Sequence, residues 1–324
     1  MEWKIFTFCV AMLPLAGLAE GSLRLGVVSD LHMTTAPGSA ESFERTLRYF
    51  DGRKADGVLV CGDLTDTGFV EELEIVARTW FKVFPDGRRS DGVPIAQLFH
   101  LGDHDMGGYM QRRLENGKHG ELDGRVLPNL DVASVWERLF HEPWTPIQVK
   151  RVKGCEFVLA HHPRHTRESR GGNVIPGLEK VLAQVGQDPS RPFILSQHRI
   201  LRDTVCRRFG WGADAGATTT LLRGRSNCIA FCGHGHVTAT NDENVWQGGF
   251  TAVEVPSLSY CLAGVEGTAP VRFLKAQPAR QFYVVEWTAG RLTIERRACD
   301  REFKELGIPW TVKVPEDPEK EKDR

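Results

Sequence analysis

Aspartates and histidines cluster in five short segments of the chain, and both residue types can bind metal ions. In chain order the segments are "SDLH" (29–32), "GDLTD" (62–66), "GDHD" (102–105), "QH" (197–198) and "GHGH" (233–236). A single segment of this kind is weak evidence, because Gly-Asp-x-x-Asp is often a turn whose Asp caps the next helix. All five together indicate a metal site. Mixed carboxylate and imidazole ligands suit Mn, Fe, Zn or Co, whereas Mg and Ca favour all-oxygen sites.

Each of these segments follows a short apolar run that is typical of a buried strand. The runs cover 23–30, 57–63, 94–103, 191–198 and 227–236, and helical patterns between them cover 39–52, 70–84, 132–140 and 177–186. Strands that alternate with helices predict an α/β layered fold, in which sites lie just beyond the strand ends. Later segments, 250–260, 280–290 and 291–298, look like antiparallel strands. No repeat or linker divides the chain, so we predict one domain over 20–312.

The ordered set of motifs resembles that of the calcineurin-like metallophosphoesterase superfamily, over residues 23 to about 298. The resemblance implies two β-sheets packed face to face and flanked by helices, with a dinuclear metal site at the strand ends. It implies hydrolysis of phosphomonoesters or phosphodiesters by a metal-activated hydroxide. Two nearby cations would neutralise the anionic phosphoryl oxygens and supply hydroxide at neutral pH. The sequence does not distinguish the monoester from the diester.

By this resemblance seven residues bind two transition-metal ions. One ion is held by Asp30, His32 and His236, Asp63 bridges both ions, and the second is held by Asp103, His198 and His234. The resemblance also places two catalytic residues beside the substrate phosphate, namely His104 and, orienting it, Asp66.

Asp103 departs from the family pattern, and the histidine of the fourth motif has two candidates. Asp103 stands where the family has Asn, which adds a negative charge that should tighten cation binding, favour a trivalent ion and reduce Lewis acidity. The alternative is that Asp substitutes conservatively. The lone histidine of the fourth motif is assigned to His198, which precedes "GHGH" by 36 residues, and His162 is the alternative. Asp66 also occupies the position at which purple acid phosphatases carry Tyr, so no iron-tyrosinate colour is expected.

Two polar segments outside the motifs are candidates for substrate contact. The stretch "HHPRHTRESRGG" (161–172) reads most simply as a solvated loop, and the functional alternative is that Arg164 and Arg167 bind the substrate phosphate. Residues 106–131 form another long segment without apolar periodicity, which the sequence favours as a loop or lid.

The N-terminal residues predict export, and the C-terminal residues predict a disordered tail. Residues 1–19 combine Lys4, an apolar run and the small residues "GLA", a pattern typical of a signal peptide, so we expect a secreted or periplasmic protein. No later stretch is apolar enough to cross a membrane, and the charged residues 313–324 predict a disordered tail. Seven cysteines remain after the signal, an odd number that leaves at least one thiol unpaired in a monomer.

The net charge of the chain argues against nucleic-acid binding as its function. The 324 residues carry a formal net charge of −1, which gives no basic excess for nucleic-acid binding. The family resemblance and the signal-like segment together give the main hypothesis, an exported, dinuclear-metal phosphoesterase that acts on a phosphoester substrate. The alternative hypothesis is a metal-binding scaffold of the same fold that has lost catalysis and recognises a partner. The sequence does not indicate an oligomeric state.

Overall fold

The computed structural model describes residues 22–107, 125–163, 175–189, 191–207, 212–265, 272–288 and 290–314. The predicted signal peptide lies outside these ranges, and so do Arg164, Arg167 and residues 315–324 of the predicted tail. Lys313, where the tail was expected to begin, is the last residue of a strand.

Two six-stranded mixed sheets form the centre of the fold. The strands are β1 (Leu23–Val28), β2 (Gly57–Cys61), β3 (Ala96–His100), β4 (Ile147–Val152), β5 (Cys155–Ala160), β6 (Phe193–Gln197), β7 (Cys228–Cys232), β8 (Val245–Gln247), β9 (Thr251–Glu254), β10 (Leu262–Val265), β11 (Arg272–Lys275), β12 (Gln281–Thr288), β13 (Arg291–Ala298) and β14 (Trp310–Lys313). The first sheet has the order β14-β13-β12-β1-β2-β3 and the second β4-β5-β6-β7-β9-β8, while β10 and β11 form a separate hairpin.

Each of the five strands that precede the motifs has a parallel neighbour in its sheet. In the first sheet β1, β2 and β3 are parallel, and in the second sheet β5, β6, β7 and β9 are parallel. Parallel strands end at the same edge of a sheet, so the polar segments after β1, β2 and β3 share one edge and those after β6 and β7 share another. The packing of the two sheets brings these two edges together. The register aligns Val27 with Leu59 and Leu59 with Leu98, which holds the three first-sheet segments side by side.

The residues of these strands alternate between two apolar layers. In β2, Leu59 and Cys61 lie in the core between the two sheets, whereas Val58 and Val60 pack against helices. Strands buried on both faces read as continuous apolar runs, which explains the pattern in the sequence. The fold is thus the expected mixed α/β sandwich with helices on its outer faces.

Helices cover the outer face of each sheet. The helices are α1 (Glu41–Gly52), α2 (Val70–Val83), α3 (Val132–Phe140), α4 (Leu178–Leu182) and α5 (Ala217–Leu222). The first three pack on the first sheet through residues such as Phe50, Trp80 and Trp136, and the other two pack on the second sheet through Leu182 and Leu222. No helix in the described ranges is long and apolar enough to cross a membrane.

All seven cysteines after the predicted signal are buried free thiols in the described structure. Cys61 and Cys232 end β2 and β7, as their apolar sequence surroundings indicate. Burial raises the pKa of the Cys232 thiol well above its usual range, which keeps it protonated.

Candidate metal centre

The first group of candidate ligands brings together the ends of β1 and β7. Asp30 Oδ1 lies 3.1 Å from His236 Nε2 and 3.8 Å from His32 Nε2. The two imidazole Nε2 atoms lie 3.1 Å from each other. Asp30, His32 and His236 therefore present one oxygen and two nitrogens to a common point, as expected for one metal ion.

The second group lies at the ends of β2, β3, β6 and β7. His198 Nε2 is 3.2 Å from Asp103 Oδ1, and His234 Nδ1 is 3.4 Å from the same oxygen. His234 Nδ1 lies 3.2 Å from His198 Nε2. Together with Asp63 these residues form a buried group of four candidate ligands.

Asp63 lies between the two groups. Its Oδ2 is 3.2 Å from His198 Nε2 of the second group and 3.8 Å from His32 Nε2 of the first. Its Oδ1 accepts a hydrogen bond from the backbone N–H of His104 at 2.9 Å, which fixes the carboxylate plane. Asp63 would therefore be in reach of an ion held by either group.

Outer hydrogen bonds orient the imidazoles so that their lone pairs face these positions. His198 Nδ1 lies 2.9 Å from the carbonyl oxygen of Cys61, and His236 Nδ1 lies 2.9 Å from that of Tyr260. A carbonyl oxygen only accepts hydrogen bonds, so Nδ1 donates in each case and Nε2 is left to bind a cation. Metal-binding histidines generally have such an outer acceptor.

The charges of the site also fit cations. Asp30 Oδ2 accepts from the backbone N–H of His234, while the buried Asp30 Oδ1 faces the imidazoles of His32 and His236. Burial lowers the pKa of His32, but hydrogen bonds to Asp30 and Asp66 and the charge of Asp63 outweigh it and raise the pKa to about 10. Without metal ions the carboxylates therefore hold protons on histidine, and cations can replace those protons.

The backbone at the ligands is strained. Five of the seven candidate ligands have positive φ angles, between 44° and 71°, namely Asp30, His32, Asp63, His234 and His236. Such angles are uncommon outside glycine and cluster at functional sites. Gly62, with φ of 85°, permits the close approach of the second sheet, because a Cβ there would lie 2.5 Å from His198 Nδ1.

His104 and Asp66 are adjacent, but their contact differs from the one expected. His104 Nδ1 lies 2.6 Å from the backbone carbonyl oxygen of Asp66, whereas the Asp66 carboxylate lies 3.1 Å from His32 Nδ1. Asp66 thus orients His104 through its main chain and His32 through its side chain. The backbone N–H of Asp66 donates to the carbonyl oxygen of Met33 at 3.0 Å, which holds the main chain of Asp66 in this position. His104 Nε2 then faces the site, 4.0 Å from Asp63 Oδ2.

The alternative fourth-motif histidine lies near the site but outside the ligand groups. The His162 ring centroid is 6.3 Å from that of His198, and its backbone N–H donates to Leu101. Among the described residues, the groups that could hold an ion contain His198 and omit His162. The candidate phosphate-binding residues Arg164 and Arg167 lie outside the described ranges.

Two contributors to the site were not singled out from the sequence. Arg199 Nη2 donates to Asp103 Oδ2 at 3.0 Å. Asp105 is buried and accepts backbone hydrogen bonds from Gly102, Leu64 and Thr65, which ties the second motif to the third. Position alone could have suggested both, since Arg199 follows His198 and Asp105 ends the third motif.

Comparisons with solved structures show the same fold. A dimetal phosphatase from Danio rerio aligns with 90% of this chain and 99% of its own, at 11% identity and a TM-score of 0.52. A purple acid phosphatase from yellow lupin (Lupinus luteus) seeds aligns with 92% of this chain and 55% of its own, at 15% identity and a TM-score of 0.51. A comparison with curated protein sequences finds no match.

The sequence pattern of one family covers all seven candidate ligands. The profile of the calcineurin-like phosphoesterase family matches residues 23–238, a span that begins in β1 and ends just after His236. The family is dimetal-dependent, and the two ligand groups described above occupy this span. This chain belongs to the calcineurin-like phosphoesterase family.

Proposed function

We propose that this chain is an exported, dinuclear-metal-dependent phosphoesterase. The observation that carries the proposal is the position of Asp63, whose Oδ2 lies within 4 Å of ligand nitrogens in both groups. A pair of bound ions supplies charge neutralisation and a hydroxide nucleophile at neutral pH. Mixed carboxylate and imidazole ligands favour Mn, Fe, Zn or Co in this role.

The protein residues supply orientation and proton transfer. Asp63 Oδ1 accepts a hydrogen bond from the backbone N–H of His104, and the main-chain carbonyl of Asp66 holds the His104 ring. The Nε2 atom of His104 is thereby directed at the site. An imidazolium there can protonate a departing alkoxide, and a neutral ring can accept a hydrogen bond from bound phosphate. The proposal covers monoesters and diesters alike. Export rests on the signal-like pattern of residues 1–19.

A substrate panel tests this function. Protein beginning at residue 20 is stripped of metal and then assayed with phosphomonoesters and phosphodiesters against a series of Mn, Fe, Zn and Co. We expect turnover only with metal, and loss of turnover in Asp63→Asn, which weakens the bridge. The matched control is Asp188→Asn, since Asp188 is exposed and pairs with Arg191 on the surface.

The same panel separates the enzyme from the non-catalytic alternative. A scaffold that binds metal and recognises a partner would take up the ions and turn over none of the esters. That outcome would reject the phosphoesterase proposal while leaving the metal centre intact. Secretion is tested separately, by sequencing the N-terminus of the protein recovered from the exported fraction.

A further inference from the structure

An apolar cavity of about 340 Å³ lies beside the second ligand group. Its walls include Met106, Leu127 and Ile175, together with the rings of Trp144, His161 and His162. A cavity of roughly 150 Å³ can hold benzene, so this one has room for a larger organic group. Ligand sites typically combine such apolar walls with a few directed polar groups.

Three ring nitrogens in these walls lack a hydrogen-bond partner in the part of the chain that the structure describes. They are His161 Nε2, His162 Nε2 and Trp144 Nε1, and all three atoms are buried. The two histidines are only 3% and 5% exposed. Buried polar groups are nearly always paired, so three in one cavity point to a bound molecule with acceptor atoms.

The positions of the ring protons show whether these nitrogens donate or accept hydrogen bonds. His161 Nδ1 accepts the backbone N–H of Leu101 at 3.1 Å, so its ring proton lies on Nε2. Burial lowers the pKa of His161 well below its usual range, which keeps this ring neutral. Trp144 Nε1 is always a donor. The cavity therefore offers at least two N–H donors, and a ligand there needs an acceptor oxygen.

The cavity is next to the candidate metal centre. The backbone N–H of His162 donates to Leu101, two residues before the ligand Asp103. The His162 ring lies 6.3 Å from that of His198, and Met106 follows the third motif directly. An organic group that extends past His162 from a phosphate at the ligand groups would therefore enter the cavity.

We propose that this cavity binds the organic group of the phosphoester substrate, and that this group is apolar and carries a hydrogen-bond acceptor oxygen. The inference rests on the proposed phosphoesterase function. Aryl ethers and acyl groups have this chemistry. A polyhydroxylated sugar does not, because the walls would leave most of its hydroxyl groups unpaired.

A matched set of alkyl esters tests the inference without changing the leaving-group chemistry much. The set is ethyl, 3-phenylpropyl and 2-phenoxyethyl phosphate, used as monoesters and as methyl diesters. We expect KM to fall by about tenfold or more from ethyl to 2-phenoxyethyl, because a phenyl ring is removed from water. The ether oxygen should lower KM below that of the 3-phenylpropyl ester.

Three variants locate the effect in the cavity. Leu130→Trp fills the rim of the cavity from an exposed position and should abolish the preference for the large esters, so that their KM values rise to that of the ethyl ester. Trp144→Phe keeps an aromatic wall, removes one of the two donors and should reduce the difference in KM between the 2-phenoxyethyl and 3-phenylpropyl esters. Val149→Trp is the control, since Val149 is 47% exposed on β4 and does not line the cavity.

Binding to metal-free protein gives a readout that does not depend on turnover. Calorimetry with 2-phenoxyethanol should detect binding to the wild type and to Val149→Trp, and none to Leu130→Trp. Equal KM values for all three esters, or a preference that survives Leu130→Trp, would overturn the inference while leaving the phosphoesterase function standing. If no ester is hydrolysed but the alcohol binds as expected, the phosphoesterase function fails and the cavity remains a ligand site.

Discussion

Arg199 Nη2 donates a hydrogen bond to Asp103 Oδ2 at 3.0 Å, while Asp103 Oδ1 faces His198 Nε2 at 3.2 Å. Asp103 Oδ1 thus faces a candidate metal position, and its Oδ2 binds the mostly buried guanidinium of Arg199. The family pattern has a neutral Asn here, and considered alone Asp103 adds one negative charge to the ligand set. Arg199 offsets that charge, so the net charge of the site stays close to that of an Asn-containing site.

The first prediction concerns the affinity of the second metal position. Arg199→Met leaves the full charge of Asp103 for the cation, so metal should bind about tenfold more tightly, which corresponds to one charged hydrogen bond. Asp103→Asn should weaken metal retention by a similar factor and preserve activity when metal is in excess. Competition with a chelating dye measures both, and the double variant should return near the wild-type affinity. Unchanged affinity in Arg199→Met would show that the pair does not tune the site.

The second prediction separates the two candidates for the fourth-motif histidine. His198→Ala should lose about one metal ion per chain, because the Nε2 atom that faces Asp63 and Asp103 is removed. His162→Ala should keep its metal, since His162 belongs to neither ligand group. Elemental analysis of the two purified variants measures this, and the reverse result would move the fourth motif to His162.

The third prediction concerns His104 as a general acid. Alkoxide leaving groups need a proton, whereas nitrophenolate leaves readily without one. His104→Ala should therefore slow an alkyl phosphoester more than a nitrophenyl one, by an extra factor of roughly tenfold or more within the usual range for acid catalysis. The metal content of the variant is the control. An equal loss on both substrates would leave His104 as a group that only binds the phosphate.

The fourth prediction follows from the raised pKa of His32, about 10 in the metal-free site. The ring is protonated at pH 7 without metal, and metal binds only the neutral ring, so loading should release protons and strengthen as pH rises. For the metal-free protein the stabilisation from His32 is fully present below pH 6.5 and is lost as pH rises toward 10. A pH-stat titration at pH 7 and urea unfolding of metal-free protein at pH 7 and 9 measure these effects. Loading at pH 7 without proton release would contradict the protonated state.

The motif residues could be placed from the sequence because each follows a buried parallel strand. Asp30, Asp63 and His198 come after apolar runs. Strand pairing places Asp30 beside Asp63 in one sheet and His198 beside His234 in the other, and the packing of the two sheets then brings these pairs together. The hairpin of β4 and β5 was not singled out, because the charged residues in "IQVKRV" interrupt the apolar pattern on an edge strand. Val149 and Arg151 of β4 are exposed. Lys150, between them, donates to the Glu142 carboxylate and to the carbonyl oxygen of Gln97.

Other features depend on geometry that residue spacing does not encode. The Arg199–Asp103 pair depends on the side chain reaching across the sheets, over 96 positions of sequence. Asp66 was expected to orient His104 with its carboxylate, and its main-chain carbonyl oxygen contacts the His104 ring instead. The positive φ angles at the ligands arise from sharp turns at the strand ends, which no local pattern of Asp and His predicts.

The central claim is that two ions bind at two ligand groups joined by Asp63. Elemental analysis of wild-type protein, combined with assay before and after chelation, tests it most directly. The account predicts about two transition-metal ions per chain, loss of phosphoesterase activity in EDTA, and recovery when metal is restored. A protein that contains no bound metal and keeps full activity in EDTA would contradict it.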